Sequence, residues 1–276
     1  MILRFVTFIH QTQTRVGALE NDTVYALDWD DTLLALIRAG TRPSRTGETY
    51  VLNSVKLAAP LLPGKIIAVG RNYAAHAKET GSAVPQAPLL FAKLPSAVIG
   101  SEEPITWRES ITQQVDWEAE LAVVIGKRSK DVPEAAAIDH VFGYTVANDV
   151  SARDLQLRTD GQWTRGKGLD TFCPLGPAIV TRDEIPDPQN LTVRTTLNGD
   201  LMQDSNTRNM VFTVPVLVAY ISRMFTLEPG DVILTGTPEG VGEGRTPQVF
   251  MKDGDVVTVS VSSIGTLTNP CRVVPD

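Results

Sequence analysis

The chain has 276 residues and a formal net charge of -7 at pH 7, with 42% hydrophobic and 21% charged residues. This length is enough for one large domain, or for a large domain and a small one. The acidic balance argues against nucleic acid as a partner, and it means that an anionic substrate would need a local cation to bind.

Cysteine usage and hydropathy bear on the location of the protein. Cys173 and Cys271 lie far apart in the sequence. Two thiols in a chain of this size suit a reducing cytoplasm, and a single disulfide between them is the alternative. The longest apolar run, from Phe212 to Ile221, is well short of the roughly 20 residues of a membrane helix. We therefore expect a soluble, cytoplasmic protein without a membrane partner.

Residues 1–60 have the pattern of a small N-terminal α/β domain without catalytic motifs. Thr32 is placed to cap a helix that Gly40 ends, and a linker is predicted at Gly40–Glu48. The Pro-rich break at residues 58–64 marks the start of a second domain, which spans residues 61–276. The predicted strands of the first domain are Ile2–Ile9, Arg15–Leu19 and Thr23–Leu27.

A buried strand at Lys65–Gly70 leads into a predicted helix at Arg71–Glu79. His76 and Glu79 are three residues apart and share a face of that helix. A carboxylate beside an imidazole orients the ring, as a general base requires, although surface helices carry many such pairs. The chain has only three histidines, which nearly excludes a His-rich zinc site. The following segment, Thr80–Pro88, is a candidate mobile lid.

Three carboxylates alternate along one predicted strand, Val115–Gly126. Side chains two residues apart on a strand point to the same face, so Asp116, Glu118 and Glu120 lie together while the apolar residues between them face a core. The face is either solvated or a site for a hard cation, because Mg²⁺, Mn²⁺ and Ca²⁺ prefer oxygen ligands. The strand alone leaves both interpretations open.

Two further charged residues lie at predicted loops. Asp149 follows a buried strand and precedes a helix that Ser151 is expected to cap, so it is either a turn residue or a functional group held by a scaffold. Lys167 lies between two glycines in a Gly- and Pro-rich loop, without a helix face to occupy. It is either solvated or a cation placed for a ligand.

The last hundred residues are predicted to be mostly β. Strands at Leu191–Leu197 and Asp200–Asp204 are joined by the turn Asn198-Gly199. A helix begins after Thr213, and the strand Val232–Leu234 leads into a Gly-rich loop at residues 235–242. A last strand is predicted at residues 256–261. This spacing of strands and turns predicts a rolled or barrel-like β domain with a few helices.

Five sequence blocks in this order resemble the fumarylacetoacetate hydrolase family, from about Pro63 to Pro270. The resemblance implies an α+β, mostly β fold, in which a β-roll catalytic domain follows a small N-terminal domain. It also implies a homodimer. The blocks are Gly70-Arg-Asn-Tyr-Ala-Ala-His76 with Glu79, Val115-Asp-Trp-Glu-Ala-Glu-Leu121, Asn148-Asp-Val-Ser-Ala-Arg-Asp-Leu-Gln156, Gly166-Lys-Gly-Leu-Asp-Thr171, and Pro229-Gly-Asp-Val-Ile-Leu-Thr-Gly-Thr-Pro-Glu-Gly-Val-Gly242.

The same resemblance assigns roles to residues of this chain. It implies that the metal is Mg²⁺ or Mn²⁺, with Ca²⁺ as a further option, and that His76 and Glu79 activate water. Lys167 matches an active-site lysine, whereas Asp116 matches no ligand of the family. The implied metal ligands are Glu118, Glu120 and Asp149, and the implied substrate contacts are Arg153, Gln156, Thr171 and Thr237.

The implied substrate is a small 2-oxo or enol carboxylic acid. The retained His76 and Glu79 pair favours a hydrolase that cleaves a C–C bond of an acylpyruvate-like acid through an enolate. An isomerase of 2-hydroxyhepta-2,4-diene-1,7-dioate, or an oxaloacetate decarboxylase, is the alternative within the family. A metal-binding protein without activity is the alternative outside enzymes.

Overall fold

The structure is a computed structural model that describes residues 4–158 and 161–276. The predicted first strand therefore lies partly outside the described residues, at Ile2 and Leu3. The helices are α1 (Leu33–Ala39), α2 (Ala74–Glu79), α3 (Arg153–Leu157), α4 (Trp163–Lys167) and α5 (Val214–Met224), and short 3-10 turns lie at Leu52–Ser54, Pro95–Ala97, Glu134–His140, Arg182–Glu184 and Thr207–Asn209.

Strands dominate the fold, which is α+β and mostly β, as the sequence predicts. They are β1 (Arg4–His10), β2 (Gln13–Glu20), β3 (Thr23–Leu27), β4 (Arg45–Val51), β5 (Lys56–Leu57), β6 (Ile66–Gly70), β7 (Leu89–Lys93), β8 (Val98–Ile99), β9 (Ile105–Trp107), β10 (Val115–Asp116), β11 (Ala119–Ile125), β12 (Val141–Asn148), β13 (Ser151–Ala152), β14 (Cys173–Thr181), β15 (Thr192–Leu197), β16 (Asp200–Asn206), β17 (Val232–Leu234), β18 (Val256–Val261) and β19 (Gly265–Val273).

The N-terminal strands extend the main sheet. The sheet runs in the order β4-β3-β2-β1-β14-β12-β11-β17-β6-β7, and β1 joins it by pairing antiparallel with β14. Helix α1 begins and ends as predicted, since the Thr32 hydroxyl accepts from Ala35 N and Gly40 has a left-handed conformation. The predicted linker at residues 40–48 is only partly correct. Strand β4 begins at Arg45 on an exposed edge, where no apolar alternation reveals a strand.

A second sheet carries the predicted hairpin. Its order is β16-β15-β18-β19-β9, and β15 and β16 meet at the turn of Asn198 and Gly199, both with positive φ. The sequence analysis missed β19, which is the longest partner of β18. The central core lies where β11 and β12 of the main sheet pack against β15 and β18 of the second. Among the described residues, no helix is long and apolar enough to cross a membrane.

The predicted single strand at residues 115–126 is two strands with a break at Trp117 and Glu118. At the break, backbone N–H groups donate to side chains instead of to the backbone of a neighbouring strand. The Asp116 carboxylate accepts from Trp117 N at 2.8 Å, and the Asn148 side chain accepts from Glu118 N at 2.9 Å. Period-2 apolar alternation does not reveal such a break, because Trp117 remains fully buried beside it.

Two local predictions next to the site are wrong. Ser151 does not cap a helix. It lies in β13, its hydroxyl donates to the Asp149 carbonyl at 2.9 Å, and Ala152 occupies the cap position instead. Lys167 does not lie in an open loop but ends the short helix α4, where its side chain is buried. Burial of the lysine stem among neighbouring elements overrides the weak helix propensity of the flanking glycines.

The packing of β19 gives a direct test of the fold. Leu267→Ala should lower the free energy of unfolding by about 2–5 kcal/mol, because Leu267 is fully buried between the two sheets and truncation leaves a cavity. Leu201→Ala is the matched control, since Leu201 is 56% exposed on the hairpin and should change stability by less than about 0.5 kcal/mol. Urea denaturation measures both, and equal losses would contradict the assigned core.

Candidate metal centre and active site

Three carboxylates meet at one end of the β11–β12 pair. One oxygen atom each of Glu118, Glu120 and Asp149 lies within 4.8 Å of the others, and all three residues are buried. The pairing of Ala119 with Asn148 sets this meeting, and Asp149 N donates to the Glu118 carbonyl at 2.9 Å. The structure therefore brings together the three residues that were expected to bind the metal.

Lysine side chains neutralise part of this charge. The Lys167 ammonium donates to Glu118 at 2.7 Å and to Asp149 at 2.9 Å. Lys93, at the end of β7, donates to the other Asp149 oxygen at 2.6 Å and also to the carbonyl of Lys167. Sequence reasoning missed Lys93. The only indication in the sequence is that this lysine ends the otherwise apolar segment Leu89–Lys93, and in the structure its side chain is fully buried.

The pKa values of the two glutamates move in opposite directions. Burial raises the pKa of Glu118, but the positive charges of Lys167 and Arg153 outweigh burial and lower it to about 2. Burial, followed by the negative charges of Asp149 and Glu118, raises the pKa of Glu120 well above its usual value. Glu118 therefore has its counter-charges within the protein, whereas Glu120 does not.

A divalent cation fits this donor set. Glu120 accepts one backbone hydrogen bond, from Gly236 N at 2.6 Å, and among the described residues no lysine or arginine forms an ion pair with it. Isolated buried carboxylates are costly unless they are paired or coordinate a metal. Three carboxylates without sulfur or imidazole ligands favour Mg²⁺, Mn²⁺ or Ca²⁺.

Asp116, which matched no role in the sequence, connects two parts of the site. Its carboxylate accepts from Arg153 Nε at 2.8 Å, and it also accepts from Gly242 N at 2.7 Å and Glu243 N at 3.0 Å. Arg153 in turn forms an ion pair with Glu118 at 2.8 Å. Asp116 thus fixes the Gly-rich loop and orients the guanidinium that supports a proposed metal ligand.

Helix α2 places the predicted base over the site. His76 Nδ1 lies 2.9 Å from one oxygen of Glu79, and the other Glu79 oxygen accepts from Gly240 N at 2.9 Å. Glu79 therefore ties the helix to the Gly-rich loop while it holds the ring. With Nδ1 engaged by a carboxylate, Nε2 is the nitrogen left to exchange a proton.

A cavity of about 190 Å³ lies between α2, α3 and α4. This volume is below the roughly 300–1,000 Å³ of pockets for drug-sized ligands, so it suits a small acid. Thr80 and Ser82, from the predicted lid segment, contribute to its wall, and whether the segment moves stays a prediction. The predicted site residues that line the cavity are His76, Glu79, Glu118, Arg153, Gln156, Lys167 and Thr237.

Most predicted substrate contacts already have partners within the protein. Thr237 donates to the Ala119 carbonyl at 2.9 Å, and Gln156 accepts from Arg153 at 2.9 Å. Thr171 does not line the cavity, and its hydroxyl accepts from Thr106 N at 2.8 Å. Its substrate role stays a prediction. The geometry indicates that Gln156 and Thr237 shape the cavity walls.

Sequence and structure comparisons show which known proteins the chain resembles. Residues 65–273 match the family described as fumarylacetoacetate (FAA) hydrolase C-terminal, and residues 3–60 match one described as Rv2993c-like, N-terminal. The chain is 53% identical over 220 residues to a protein of Xenopus laevis named a mitochondrial oxaloacetate tautomerase, and the match covers 79% of this chain and 69% of that protein.

Two solved structures are similar over nearly the whole chain. A 2-hydroxyhepta-2,4-diene-1,7-dioate isomerase from Mycobacterium marinum has a TM-score of 0.85 and 38% identity, and the match covers 99% of this chain and 100% of that one. A fumarylacetoacetate hydrolase from Exiguobacterium antarcticum has a TM-score of 0.89 and 41% identity, with the same coverage.

The charge imbalance at Glu120 predicts opposite effects of two similar substitutions in metal-free protein. Glu120→Gln should raise the free energy of unfolding by on the order of 1 kcal/mol, because it removes a carboxylate that repels two others. Glu118→Gln should lower it by about 1–3 kcal/mol, because Lys167 and Arg153 lose a charged partner. Chemical denaturation in excess chelator measures both.

The same two variants test the cation. Added Mg²⁺ or Mn²⁺ should raise the melting temperature of the wild-type protein, since a ligand that binds only the folded state stabilises it. Both variants should lose most of this rise. If Glu120→Gln destabilised the metal-free protein as much as Glu118→Gln does, the account of the charge imbalance would be wrong.

Proposed function

Because the chain belongs to the fumarylacetoacetate hydrolase family, we propose that it is a divalent-metal-dependent isomerase that interconverts the keto and enol forms of a small 2-oxo carboxylic acid. The observation that carries the proposal is the placement of a carboxylate-held imidazole and a buried ammonium on one small cavity, beside three carboxylates that suit a cation. An enzyme needs these groups to transfer a proton to or from the carbon next to a carbonyl group.

Glu118, Glu120 and Asp149 would hold the cation, and we propose Mg²⁺ or Mn²⁺. When bound, the cation supplies positive charge that lowers the free energy of a developing enolate. A cation held there would also add local positive charge for an anionic substrate of this acidic protein.

The proton transfer uses residues of this chain. His76 Nε2 takes a proton from the carbon beside the carbonyl, while Glu79 on Nδ1 stabilises the resulting imidazolium. An ammonium has three N–H donors, and Lys167 uses two of them on Glu118 and Asp149. The third is directed by these bonds and can stabilise or protonate the enolate oxygen. The reverse transfers return the enol to the keto form.

The relatives favour an isomerase over the hydrolase that the sequence analysis ranked first. A relative is named for oxaloacetate tautomerisation and a solved structure for isomerisation of a dioate. The retained His76 and Glu79 pair could not separate these reactions, because a base that activates water can equally take a proton from carbon. Hydrolysis of an acylpyruvate-like acid remains the second candidate, supported by the Exiguobacterium antarcticum structure named as a hydrolase.

The assembly and location of the protein are proposals as well. We propose a homodimer, which the family resemblance implies. A cytoplasmic location remains a prediction, since the Xenopus laevis relative is named as mitochondrial. Decarboxylation of oxaloacetate is the further alternative within the same enolate chemistry, and the product formed distinguishes it from tautomerisation.

The proposal predicts a metal-dependent loss of the ultraviolet absorbance of enol-oxaloacetate, faster than the enzyme-free reaction. His76→Gln should slow this reaction by about 10²–10⁴-fold, because the proton acceptor is lost. His140→Gln is the matched control, since His140 bonds to Ser129 at 2.9 Å and does not line the cavity. It should keep the wild-type rate.

Product analysis separates the two candidate functions. An isomerase leaves the carbon skeleton intact, so mass spectrometry should recover oxaloacetate without pyruvate in excess of the uncatalysed amount. An acetopyruvate or other acylpyruvate cleaved faster than oxaloacetate is tautomerised would contradict the isomerase and support the hydrolase. Activity that survives excess chelator would contradict the metal dependence.

A further inference from the structure

Arg71 brings a guanidinium to the cavity without a carboxylate partner. The other two cations of the cavity wall are engaged: Arg153 pairs with Asp116 and Glu118, and Lys167 pairs with Glu118 and Asp149. Among the described residues, no hydrogen-bond acceptor or acidic side chain is bound to the Arg71 guanidinium. It is half-buried at the cavity, and its charge is available to a ligand.

Two aromatic rings form the wall between Lys167 and Arg71. The Lys167 ammonium lies 5.4 Å from the centre of the Phe91 ring, and the rings of Phe91 and Trp163 are 5.3 Å apart. The Arg71 guanidinium lies 5.4 Å from the centre of the Trp163 ring. The wall is therefore apolar in the middle and positively charged at both ends.

The backbone around Arg71 supports a role for its side chain. Arg71 has φ of 57°, in the left-handed region where a glycine or asparagine costs less than an arginine. The preceding residue, Gly70, leaves the space that Trp163 occupies, since a Cβ there would lie 2.4 Å from the Trp163 ring. The chain thus holds Arg71 in a disfavoured backbone conformation, and the ring of Trp163 packs against the adjacent Gly70.

We propose that Arg71 is a specificity residue that binds the distal carboxylate of a dicarboxylic 2-oxo acid. In this arrangement the 2-oxo acid end of the substrate lies toward Lys167, and its carbon chain lies along Phe91 and Trp163. The guanidinium fork matches a carboxylate with two parallel hydrogen bonds. The inference rests on the proposed function for the orientation of the substrate, and it adds the requirement for a second negative charge.

Equilibrium binding tests this requirement without turnover. The probes are 2-oxoglutarate and 2-oxopentanoate, which share a five-carbon chain and differ in the distal carboxylate. Calorimetry in the presence of Mg²⁺ should show the diacid bound at least tenfold more tightly by the wild-type protein, as expected for a charge-assisted pair. Arg71→Gln should reduce this preference to less than about threefold, and it should leave the dissociation constant of the monoacid within about twofold.

Two further variants control the experiment. Arg71→Lys keeps the charge but not the planar fork, so it should restore part of the diacid preference. Lys78→Gln removes one positive charge from an exposed position of α2 that does not line the cavity, and it should keep the full preference. A loss of preference in Lys78→Gln that equals the loss in Arg71→Gln would overturn the inference in favour of a general charge effect.

The outcomes separate the inference from the proposed function. A wild-type protein that binds both acids equally, or binds neither, overturns the inference, and so does an Arg71→Gln variant that keeps the preference. If the diacid preference is lost in Arg71→Gln but the protein tautomerises no 2-oxo acid, the subsite stands and the proposed function fails. If tautomerisation is observed and Arg71→Gln weakens both acids equally, the function stands and the subsite is wrong.

Discussion

The site depends on a cluster of buried charges that does not balance within the protein. Four carboxylates lie close together below the cavity, and Lys93, Arg153 and Lys167 are the cations paired with them in the described structure. Three of the carboxylates have a cationic partner, whereas Glu120 has a backbone N–H alone. A further positive charge at Glu120 would therefore stabilise the cluster. The electrostatics of the chain thus support the proposed cation.

The same hydrogen-bond network connects the strands of the fold to the side chains that are proposed to transfer the proton. Asp116 holds Gly242 of the Gly-rich loop, and Glu79 binds Gly240 of that loop while it orients His76. The position of His76, the proposed base, is therefore coupled through one loop to the strand that carries the carboxylates. Pre-organisation of this kind would hold the proposed acid and base of the small cavity in a fixed geometry before a substrate arrives.

Local patterns in the sequence predicted the parts of the fold that local chemistry decides. The Thr32 cap and the Asn198-Gly199 turn form as expected, because the conformation of each is set mainly by neighbouring residues. The break at Trp117 and the burial of Lys93 depend on side chains from distant elements, which no spacing along the chain reveals. The three proposed metal ligands could be named because the order of motifs resembles a family. The role of Asp116 required the structure.

Proton exchange at carbon tests the central claim most directly. Oxaloacetate is incubated in D₂O with the Mg²⁺-loaded protein, and proton NMR follows the signal of its C3 protons. The account predicts exchange with solvent in proportion to protein concentration, above the enzyme-free rate, with the carbon skeleton intact. Exchange at the enzyme-free rate, or loss of the signal through cleavage of a C–C bond, would contradict an isomerase that acts through the base and the ammonium of this cavity.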